Sequence, residues 1–600
     1  MRTRTLQYLY LQRPLLSLVF LTIFSVICWI GMGDFYTKGE PREASVALSM
    51  IEDNNWVLPQ AYADEQAYKP PLTHWLMATF SLPTGEVTPF TSRLPSALAF
   101  LGVIVASFFL FGRKLKFTES YLTCIILLTS FELHRAAMTA RVDMLLTFFI
   151  LTGLLCLYKW EVRKKVTGLP PIIPVLLGLA ALTKGPVGII LPLLVFGVYL
   201  LILKYNFWKI AGKLTLVALC AMILPGIWYF FAYKSGGQEF LDLVWAENFG
   251  RFLGSSNLNI SYELGHNEPL WYNFVTLLSG FIPWTIFLLI SLFSIKYSFK
   301  IPKFKTVWNK MLSMEKVKIF SLVAAIVIVV FYCIPSSKRS VYLMPAYPFI
   351  ALFIAQFVLY IAEHRPKANR IFSVVIGSIG VIVTLICLAT VVTHFVDPVV
   401  LTGYFTKHQK TLSDVASIWT SLNSPKILYV SLICVLILAL YALFYQLHKK
   451  NNVKILYATI GVYFAINLVA DGIFLPAFKN GITAKPFAEK LKREHNLTNR
   501  PVYVMNNLLE YKNMYAMNFY LGNNFRNFEK EEPEQGYFLV GRDGFQKVLA
   551  KYGENYKFEL LHEYDNKMRD GDKVLLFFLF NKIEGIDIPQ IRKTTPTDSL

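Results

Sequence analysis

Long, mainly apolar runs recur along the whole of this 600-residue chain and constrain its fold more than any other feature. The chain is 55% hydrophobic and only 16% charged, a balance that soluble proteins of this length rarely have. A run of about 18 or more apolar residues predicts a membrane-spanning helix. The sequence therefore predicts an α-helical polytopic membrane protein with thirteen spans, near 14–31, 92–112, 117–133, 143–160, 170–183, 186–204, 211–232, 271–296, 319–335, 341–362, 371–393, 427–447 and 455–475.

Basic residues follow every second predicted span. Short cytoplasmic loops carry an excess of Lys and Arg, so these loops and the N-terminus are predicted to be cytoplasmic. The formal net charge of +20 follows largely from this topology, and no nucleic-acid partner is predicted. The basic loops include Arg113, Lys114 and Lys116, then Arg163, Lys164 and Lys165, and, after the eighth span, Lys296, Lys300, Lys303 and Lys305.

The remaining loops face the other compartment, and four segments there are long: 32–91, 233–270, 394–426 and 476–600. The last alternates helical stretches with strand-like ones such as "PVYVM" and "KVLLFFLF", which predicts a compact α/β domain. We therefore expect a transmembrane domain at 1–475, with the first outer loop at 32–91, and a C-terminal domain at 476–600. All seven cysteines fall inside predicted spans, so neither a disulfide nor a metal cluster is predicted from them.

The stretch "GEPREASVALSM" at the outer end of the first span reads as an amphipathic helix in the membrane interface, with Pro41 in its first turn. It carries two acids, Glu40 and Glu43. Acids near a helix N-terminus have a simple explanation, since they complement the helix dipole. Taken alone, this stretch favours that explanation and a catalytic one about equally.

Further charges converge on the same predicted face. Charged groups at membrane depth are costly, so each is a functional candidate, although a single lysine more often extends to the lipid head groups. Two acids and several cations together suit an enzyme that grips a phosphate while a carboxylate takes a proton. The candidates outside the amphipathic helix are Lys69 in "YKPPLTHW", Arg141 and Asp143 in "ARVDMLLTFF", Lys184 in "LTKGPVG", Arg251 in "ENFGRFLG", and Lys338 and Tyr342 in "SSKRSVYLMPAYP", where Arg339 also lies at the mouth of the tenth predicted span. His74 and Trp75 are expected to be an interfacial belt.

These motifs, in this order with "NNWVLP" and "SRLPSALAF", resemble the polyprenyl-phosphate-dependent glycosyltransferases of the C-type membrane fold. The bacterial group that includes the aminoarabinose transferase of lipid A and relatives of the protein O-mannosyltransferases is the most similar. The resemblance implies transfer of a sugar, with inversion, from an undecaprenyl-phosphate-linked donor to lipid A, another envelope glycolipid or a protein hydroxyl. It also implies a bacterial inner membrane location, with the site and the C-terminal domain periplasmic.

The resemblance implies site residues as well. An acid in the first outer loop and a second at the start of the fourth span correspond to Glu40 and Asp143, and the donor phosphate is held by Lys69, Arg251 and Tyr342. The family's usual Asp before Glu40 is Gly39 here, and the general base stays open between Glu40 and Glu43. The lipid A enzymes that the chain resembles carry an acid just before the loop lysine, whereas this sequence has Tyr68 at that position. This difference weakens both the aminoarabinose assignment and the expectation of a metal site there. Arg42, Tyr68, Arg141, Lys184 and Lys338 are further candidates; no cofactor is predicted, and a divalent ion stays open.

Two other function classes fit a polytopic chain. A transporter or lipid flippase should carry its charges in mid-span, often in two matching halves with broken helices, whereas these charges cluster at one face and no repeat is visible. A structural subunit of an envelope complex has no need of paired acids and cations. The residues identify neither the sugar nor the acceptor.

Overall fold

The computed structural model describes residues 13–112, 115–245, 268–295, 303–392, 415, 418–419, 422, 427–497, 500–506, 511–565 and 572–583. Most of the described residues are helical. In that part of the chain, eight helices are long and apolar enough to cross a membrane, or nine if one pair bent by 104° counts as a single span. They are Pro89–Phe111, Val142–Lys164, Phe207–Trp245, Lys316–Cys333, Ser340–His364, Pro366–Thr390, Ile427–Lys449 and Asn452–Gly481, with Trp271–Gly280 and Trp284–Leu292 as the bent pair.

Four shorter apolar helices coincide with the first, third, fifth and sixth predicted spans. These helices are Arg13–Ile27, Phe117–Thr129, Ile172–Lys184 and Val187–Ile202. Every predicted apolar run is thus helical in the described residues, and eight of the runs have the length of a full span, or nine if the bent pair counts as one. One large apolar cluster fills the space between these helices, with residues such as Phe100, Ile126 and Leu154 completely buried.

The helix Pro89–Phe111, which forms the second predicted span, begins with a capping motif in its sequence. The Thr88 side chain accepts a hydrogen bond from the Thr91 N–H, and the Thr91 side chain accepts one from the Thr88 N–H. This reciprocal cap satisfies two N–H groups that a helix start leaves unpaired, and Pro89 already has the backbone angle of a first helical residue. Arg93 follows one turn later in this helix.

The first outer loop forms a small layer over one end of the bundle. It contains the interfacial helix Gly39–Glu52, an antiparallel hairpin of β1 (Gln60–Tyr62) and β2 (Glu65–Gln66), and the helix Leu72–Ser81. Outside this layer, shorter helices lie at Phe131–Ala137, Phe304–Leu312 and Leu475–Gly481. A separate apolar cluster holds this layer together, with Phe35, Ala47 and Met77 at its centre.

The C-terminal part is an α/β unit, as the sequence predicts. Its five-stranded mixed sheet has the order β4-β3-β5-β7-β6, with β6 at one edge. The strands are β3 (Val502–Val504), β4 (Phe525–Asn527), β5 (Gln535–Gly541), β6 (Tyr556–Asp565) and β7 (Val574–Lys582), and the helices are Lys485–His495, Tyr515–Tyr520, Phe528–Glu531 and Arg542–Tyr552. The helix Lys485–His495 covers one face of the sheet through Phe487 and Leu491.

Candidate functional site

A cavity of about 260 Å³ opens where the first outer loop meets the ends of several membrane helices. Eight of the eleven residues singled out from the sequence line it: Arg42, Glu43, Tyr68, Lys69, Arg141, Asp143, Lys184 and Tyr342. The rest of the lining includes Pro70, Thr183, Tyr332, Ser337 and Arg339. Residues separated by up to 300 positions in the chain therefore meet at one polar chamber.

Local sequence explains how two of these charges reach the chamber. Arg141 has an extended backbone and immediately precedes the helix Val142–Lys164, so Asp143 falls in the first turn of that helix. Lys184 is the last residue of its helix, and Gly185 then adopts φ 106°, a backbone angle that favours glycine. The turn brings the end of one helix beside the start of the next, with Lys184 at its tip.

Asp143 and Lys184 form the first of two ion pairs in the cavity. The Lys184 Nζ donates to Asp143 Oδ1 at 2.5 Å, and the same ammonium lies 4.1 Å from the centre of the Tyr342 ring. The Asp143 side chain is buried, and its Oδ2 atom has no hydrogen-bond partner within the described part of the chain. One carboxylate oxygen of Asp143 is therefore uncommitted.

Glu43 forms the second pair and is engaged at both oxygens. Its Oε1 accepts from Lys69 Nζ at 2.8 Å and from Arg42 Nη2 at 3.2 Å, and its Oε2 lies 2.7 Å from His74 Nε2. Burial alone would raise the pKa of Glu43, but Arg42, His74 and Arg141 outweigh that effect and lower the pKa to about 2. His74, expected from the sequence to be interfacial, is instead 1% exposed and bound to this acid. The sequence alone does not show that His74 and Glu43 are in contact.

Glu40 lies outside the cavity, in contrast to the expectation that it would face the site. Both of its oxygens bind the buried Arg93, at 2.7 Å from Nε and 3.1 Å from Nη2, and Oε1 also accepts from the Ala140 N–H. Burial would raise the pKa of Glu40, but the positive charges of Arg93 and Lys479 hold it at about 2. Glu40 is 4% exposed and joins the interfacial helix to the second membrane helix.

Gly39 makes room for one of the cavity cations. A Cβ atom at this position would overlap the guanidinium of Arg141. The absence of a side chain at Gly39 therefore lets Arg141 pack against the start of the interfacial helix. A cation occupies the space beside Gly39.

The two basic neighbours Lys338 and Arg339 point in different directions. Lys338 is 5% exposed and donates to the backbone oxygens of Glu268 at 2.9 Å and Ser336 at 3.4 Å, away from the cavity lining. Arg339 lines the cavity; the sequence placed it at the mouth of the tenth predicted span but did not assign it to the site. Its adjacency to Lys338 in "SSKRS" was the available signal. The predicted phosphate ligand Arg251 lies outside the described residues.

The described cavity lining contains five cationic side chains and two carboxylates. Each carboxylate is already paired with a lysine, whereas the guanidinium groups of Arg141 and Arg339 have neither an ion pair nor a hydrogen bond within the described residues. Guanidinium groups bind phosphate oxygens in a bidentate manner. The excess positive charge therefore suits an anionic ligand. Within the described residues, no His or Cys lines the cavity.

Comparison with known proteins agrees with the resemblance seen in the motifs. Residues 68–229 match the family described as dolichyl-phosphate-mannose-protein mannosyltransferase. The undecaprenyl phosphate-alpha-4-amino-4-deoxy-L-arabinose arabinosyl transferase of Shewanella sediminis is 25% identical over 357 residues, which cover 58% of this chain and 60% of that protein. An uncharacterized protein of Aquifex aeolicus is 27% identical over 390 residues, 63% of this chain and 69% of the relative.

A solved structure extends the likeness to the whole fold. ArnT from Cupriavidus metallidurans, bound to undecaprenyl phosphate, superimposes with a TM-score of 0.62 and 16% identity over 96% of this chain and 98% of that one. The predicted fold class is confirmed, and so is the resemblance to the polyprenyl-phosphate glycosyltransferase group. The chain is a multi-pass membrane protein. Its sequence match spans about three fifths of the length of the Shewanella relative.

Proposed function

We propose that this chain, which shares the fold of ArnT and matches the mannosyltransferase family over residues 68–229, is an integral membrane glycosyltransferase. It transfers a sugar from an undecaprenyl-phosphate-linked donor to an acceptor at the periplasmic face, with inversion at the anomeric carbon. The acceptor is lipid A, another envelope glycolipid or a protein hydroxyl. The single observation that carries the proposal is the cavity that gathers five cations around two carboxylates at one face of the bundle.

The cations hold the donor phosphate. In the transfer, the bond between the sugar C1 and the phosphate oxygen breaks, and undecaprenyl phosphate leaves with an added negative charge. Lys69, Arg141 and Arg339 line the cavity and are positioned to hold that charge, which lowers the barrier most where water is partly excluded. The Tyr342 ring keeps Lys184 over the site by a cation–π contact. Arg251 stays a proposed ligand on the strength of the resemblance alone.

Asp143 is our proposed general base. A hydroxyl acceptor loses its proton as the new bond from its oxygen to C1 forms, and a carboxylate oxygen must be within reach to take that proton. The uncommitted Oδ2 of Asp143 meets this requirement, whereas both oxygens of Glu43 are bound to cations. Glu43 instead positions Lys69 for the phosphate. Glu40, with both oxygens on Arg93, is assigned a structural role.

A flippase or transporter without transferase activity is the competing proposal. It would move a lipid-linked sugar without breaking the bond to phosphate. The location of the charges at helix ends and in the outer loop, with acids and cations interleaved, favours chemistry at one face over passage through the bundle. Chemical cleavage of the donor separates the two proposals.

The test measures donor cleavage by the purified chain in detergent, with undecaprenyl phosphate-alpha-4-amino-4-deoxy-L-arabinose as the first of a panel of undecaprenyl-phosphate sugars. We expect release of undecaprenyl phosphate in the presence of envelope acceptors. Asp143→Asn should reduce the rate by about 10²–10⁴-fold, the contribution of a general base. Asp543→Asn, an exposed change in the C-terminal domain, is the matched control and should be fully active. Full activity of Asp143→Asn would remove the base assignment, and an intact donor throughout the panel would favour the flippase.

A further inference from the structure

The edge strand β6 contains an irregularity that changes the direction of one histidine. Its pairing with β7 is regular from Tyr556 to Leu560, and the register then shifts, so that His562 rather than Leu561 pairs with Phe577. An extra residue in one strand moves every later side chain to the opposite face of the sheet. Without the extra residue, His562 would lie on the face of Phe558. With it, His562 lies on the face covered by the helix Lys485–His495.

The last turn of that helix presents two further ligand groups to His562. His495 Nε2 lies 2.8 Å from His562 Nε2, and Glu494 Oε2 lies 3.1 Å from the same His562 nitrogen. The three ligand atoms all lie within 4.8 Å of one another. The helix ends directly afterwards at Asn496, whose left-handed backbone turns the chain away from this group.

Hydrogen bonds within this group of three side chains do not satisfy all three atoms at once. If His562 Nε2 carries the proton, that proton points either at the His495 nitrogen or at the Glu494 oxygen, and one acceptor is left facing it. If His495 carries the proton, the lone pair of His562 faces a carboxylate. A cation placed between the three atoms satisfies all of them at once.

Two aromatic rings hold the imidazoles from behind. The His495 ring lies 5.4 Å from the Tyr537 ring and 5.3 Å from the Phe577 ring, and the His562 ring lies 6.3 Å from Phe577. An apolar backing restricts the orientation of imidazole ligands and limits the access of water. The opposite side is open, since the Glu494 side chain is 40% exposed, so an ion has a path of entry.

We propose that Glu494, His495 and His562 bind one divalent transition-metal ion of the zinc class. Two imidazole nitrogens and one carboxylate oxygen form a ligand set that zinc accepts with a fourth position for water. Zinc–nitrogen distances of about 2.0–2.1 Å would separate the two nitrogens to roughly 3.3 Å in a tetrahedral site, a shift of a few tenths of an ångström. The ion clips the edge strand β6 to the helix that covers the sheet. This site lies in the C-terminal domain and is independent of the proposed transfer reaction.

The experiment uses the full chain in detergent, with any affinity tag removed, stripped with EDTA and desalted. Zn²⁺ is titrated in competition with a chromophoric chelator, and Co²⁺ then reports the coordination geometry through its visible absorption. We expect the wild-type chain to bind one more ion than His562→Ala or His495→Ala. The affinity for Zn²⁺ should be lower in Glu494→Gln than in the wild type. The decrease should exceed the roughly 10–100-fold that residues hydrogen-bonded to metal ligands contribute.

Two controls separate loss of the site from loss of the fold. His364→Ala removes an exposed histidine at the end of another helix and should bind as much zinc as the wild type. In EDTA, the variants and the wild type should unfold at similar temperatures, and added Zn²⁺ should raise the unfolding temperature of the wild type and of His364→Ala alone. Equal zinc stoichiometry in the wild type and His562→Ala, or a wild-type chain that leaves the chelator fully loaded, would overturn the proposal.

Discussion

At the residue scale, two acids on one helix have separate environments. Glu40 and Glu43 lie three positions apart on the interfacial helix Gly39–Glu52, yet Glu40 binds Arg93 of a membrane helix and Glu43 binds Lys69 of the outer loop. Both carboxyl groups are buried, and partners of opposite charge keep both ionised. The difference lies in what each pair does: the first joins two elements, and the second lines the cavity.

This difference predicts opposite phenotypes for the two glutamine variants. Glu40→Gln leaves Arg93 as a buried charge without its partner, and the loss of one member of a buried pair costs about 3–5 kcal/mol of unfolding free energy. Donor cleavage per folded molecule should stay close to the wild-type value. Glu43→Gln should leave the unfolding temperature less affected and reduce the cleavage rate by about 10²-fold, because Lys69 loses its positioning partner. A stable but inactive Glu40→Gln would return the catalytic role to Glu40.

The pH dependence of stability provides a second check on Glu40. Its pKa falls from 4.5 to about 2 in the folded chain, so its ionised pair stabilises the fold above about pH 4.5. That contribution is lost as the pH falls towards 2. The difference in unfolding temperature between the wild type and Glu40→Gln should therefore be largest near neutral pH and should narrow below about pH 4.5. A difference that grows on acidification would contradict the assignment of Glu40 to this ion pair.

Neighbouring cations provide a matched pair for the donor site. Arg339 lines the cavity, whereas Lys338 holds the backbone at Glu268 and Ser336. Arg339→Gln should raise the KM for the donor or lower kcat by about 10²–10³-fold, since a proposed phosphate ligand is lost. Lys338→Gln should lower the unfolding temperature and leave the donor KM nearly unchanged. Steady-state kinetics and thermal unfolding of both variants measure the two effects, and equal donor kinetics in the two variants would contradict the separation.

At the element scale, the helix Phe207–Trp245 changes direction at one glycine. Gly237 has φ 59° and ψ −146°, a conformation that is essentially restricted to glycine. The segment after this break carries Phe240 back onto Trp228, with ring centres 5.8 Å apart, and into the cluster around Leu58 of the outer loop. The break therefore anchors a long membrane helix to the layer that bears the cavity.

Alanine substitutions at two glycines of this helix should have opposite effects. Gly237→Ala forces a side chain into a strained backbone conformation and should cost about 1–3 kcal/mol. Gly212→Ala, in regular helix with nothing near its Cβ position, should instead gain about 0.5–1 kcal/mol. Thermal unfolding in the same detergent compares the two variants directly. Equal destabilisation by both would show that the break is not a constraint on this helix.

At the scale of the whole molecule, the C-terminal domain docks on the first outer loop. The buried Tyr62 of the hairpin packs against Tyr515 and Phe525, and Asp64 binds Arg526 at 2.8 Å. A small cavity of about 40 Å³ beside the main one is lined by Lys69, Glu43 and His74 and is bounded by Tyr515. The C-terminal domain therefore reaches the edge of the candidate site, and residues of both parts are expected to contact an acceptor.

The docking requires the first outer loop and the C-terminal domain to share one side of the membrane. Together with the alternating basic loops, it predicts a cytoplasmic N-terminus and a periplasmic C-terminal domain. Reporter fusions after Lys300 and after Lys479 should report opposite compartments. A fusion after Asp64, in the hairpin, should agree with the one after Lys479. Reporters that find Lys300 and Lys479 on the same side would contradict the topology.

The amino-acid sequence by itself determined the class of the fold and most of the residues that line the candidate site. Apolar runs have no stable alternative to a helix in lipid, because every backbone group must be paired within the segment, so the helices could be located from hydropathy alone. Charged groups near helix ends are costly at this depth, so Lys69, Asp143 and Lys184 stood out as candidates and lie together in the cavity. Both inferences depend on how a segment interacts with lipid and water. These interactions are the same whichever segments lie beside it.

Only the tertiary structure decided which of several similar residues face the cavity. Glu40 and Glu43, or Lys338 and Arg339, have the same chemistry and nearly the same position in the chain, and their directions depend on partners far away in sequence. The partner of Glu40 is 53 residues distant, and the meeting of His562 with His495 requires a bulge and a helix end 67 residues apart. A side chain rotates by about 100° per helical residue and by half a turn per strand residue. A shift of one position along the chain therefore changes which neighbour a side chain contacts. Only the packing of the folded chain decides which neighbour that is.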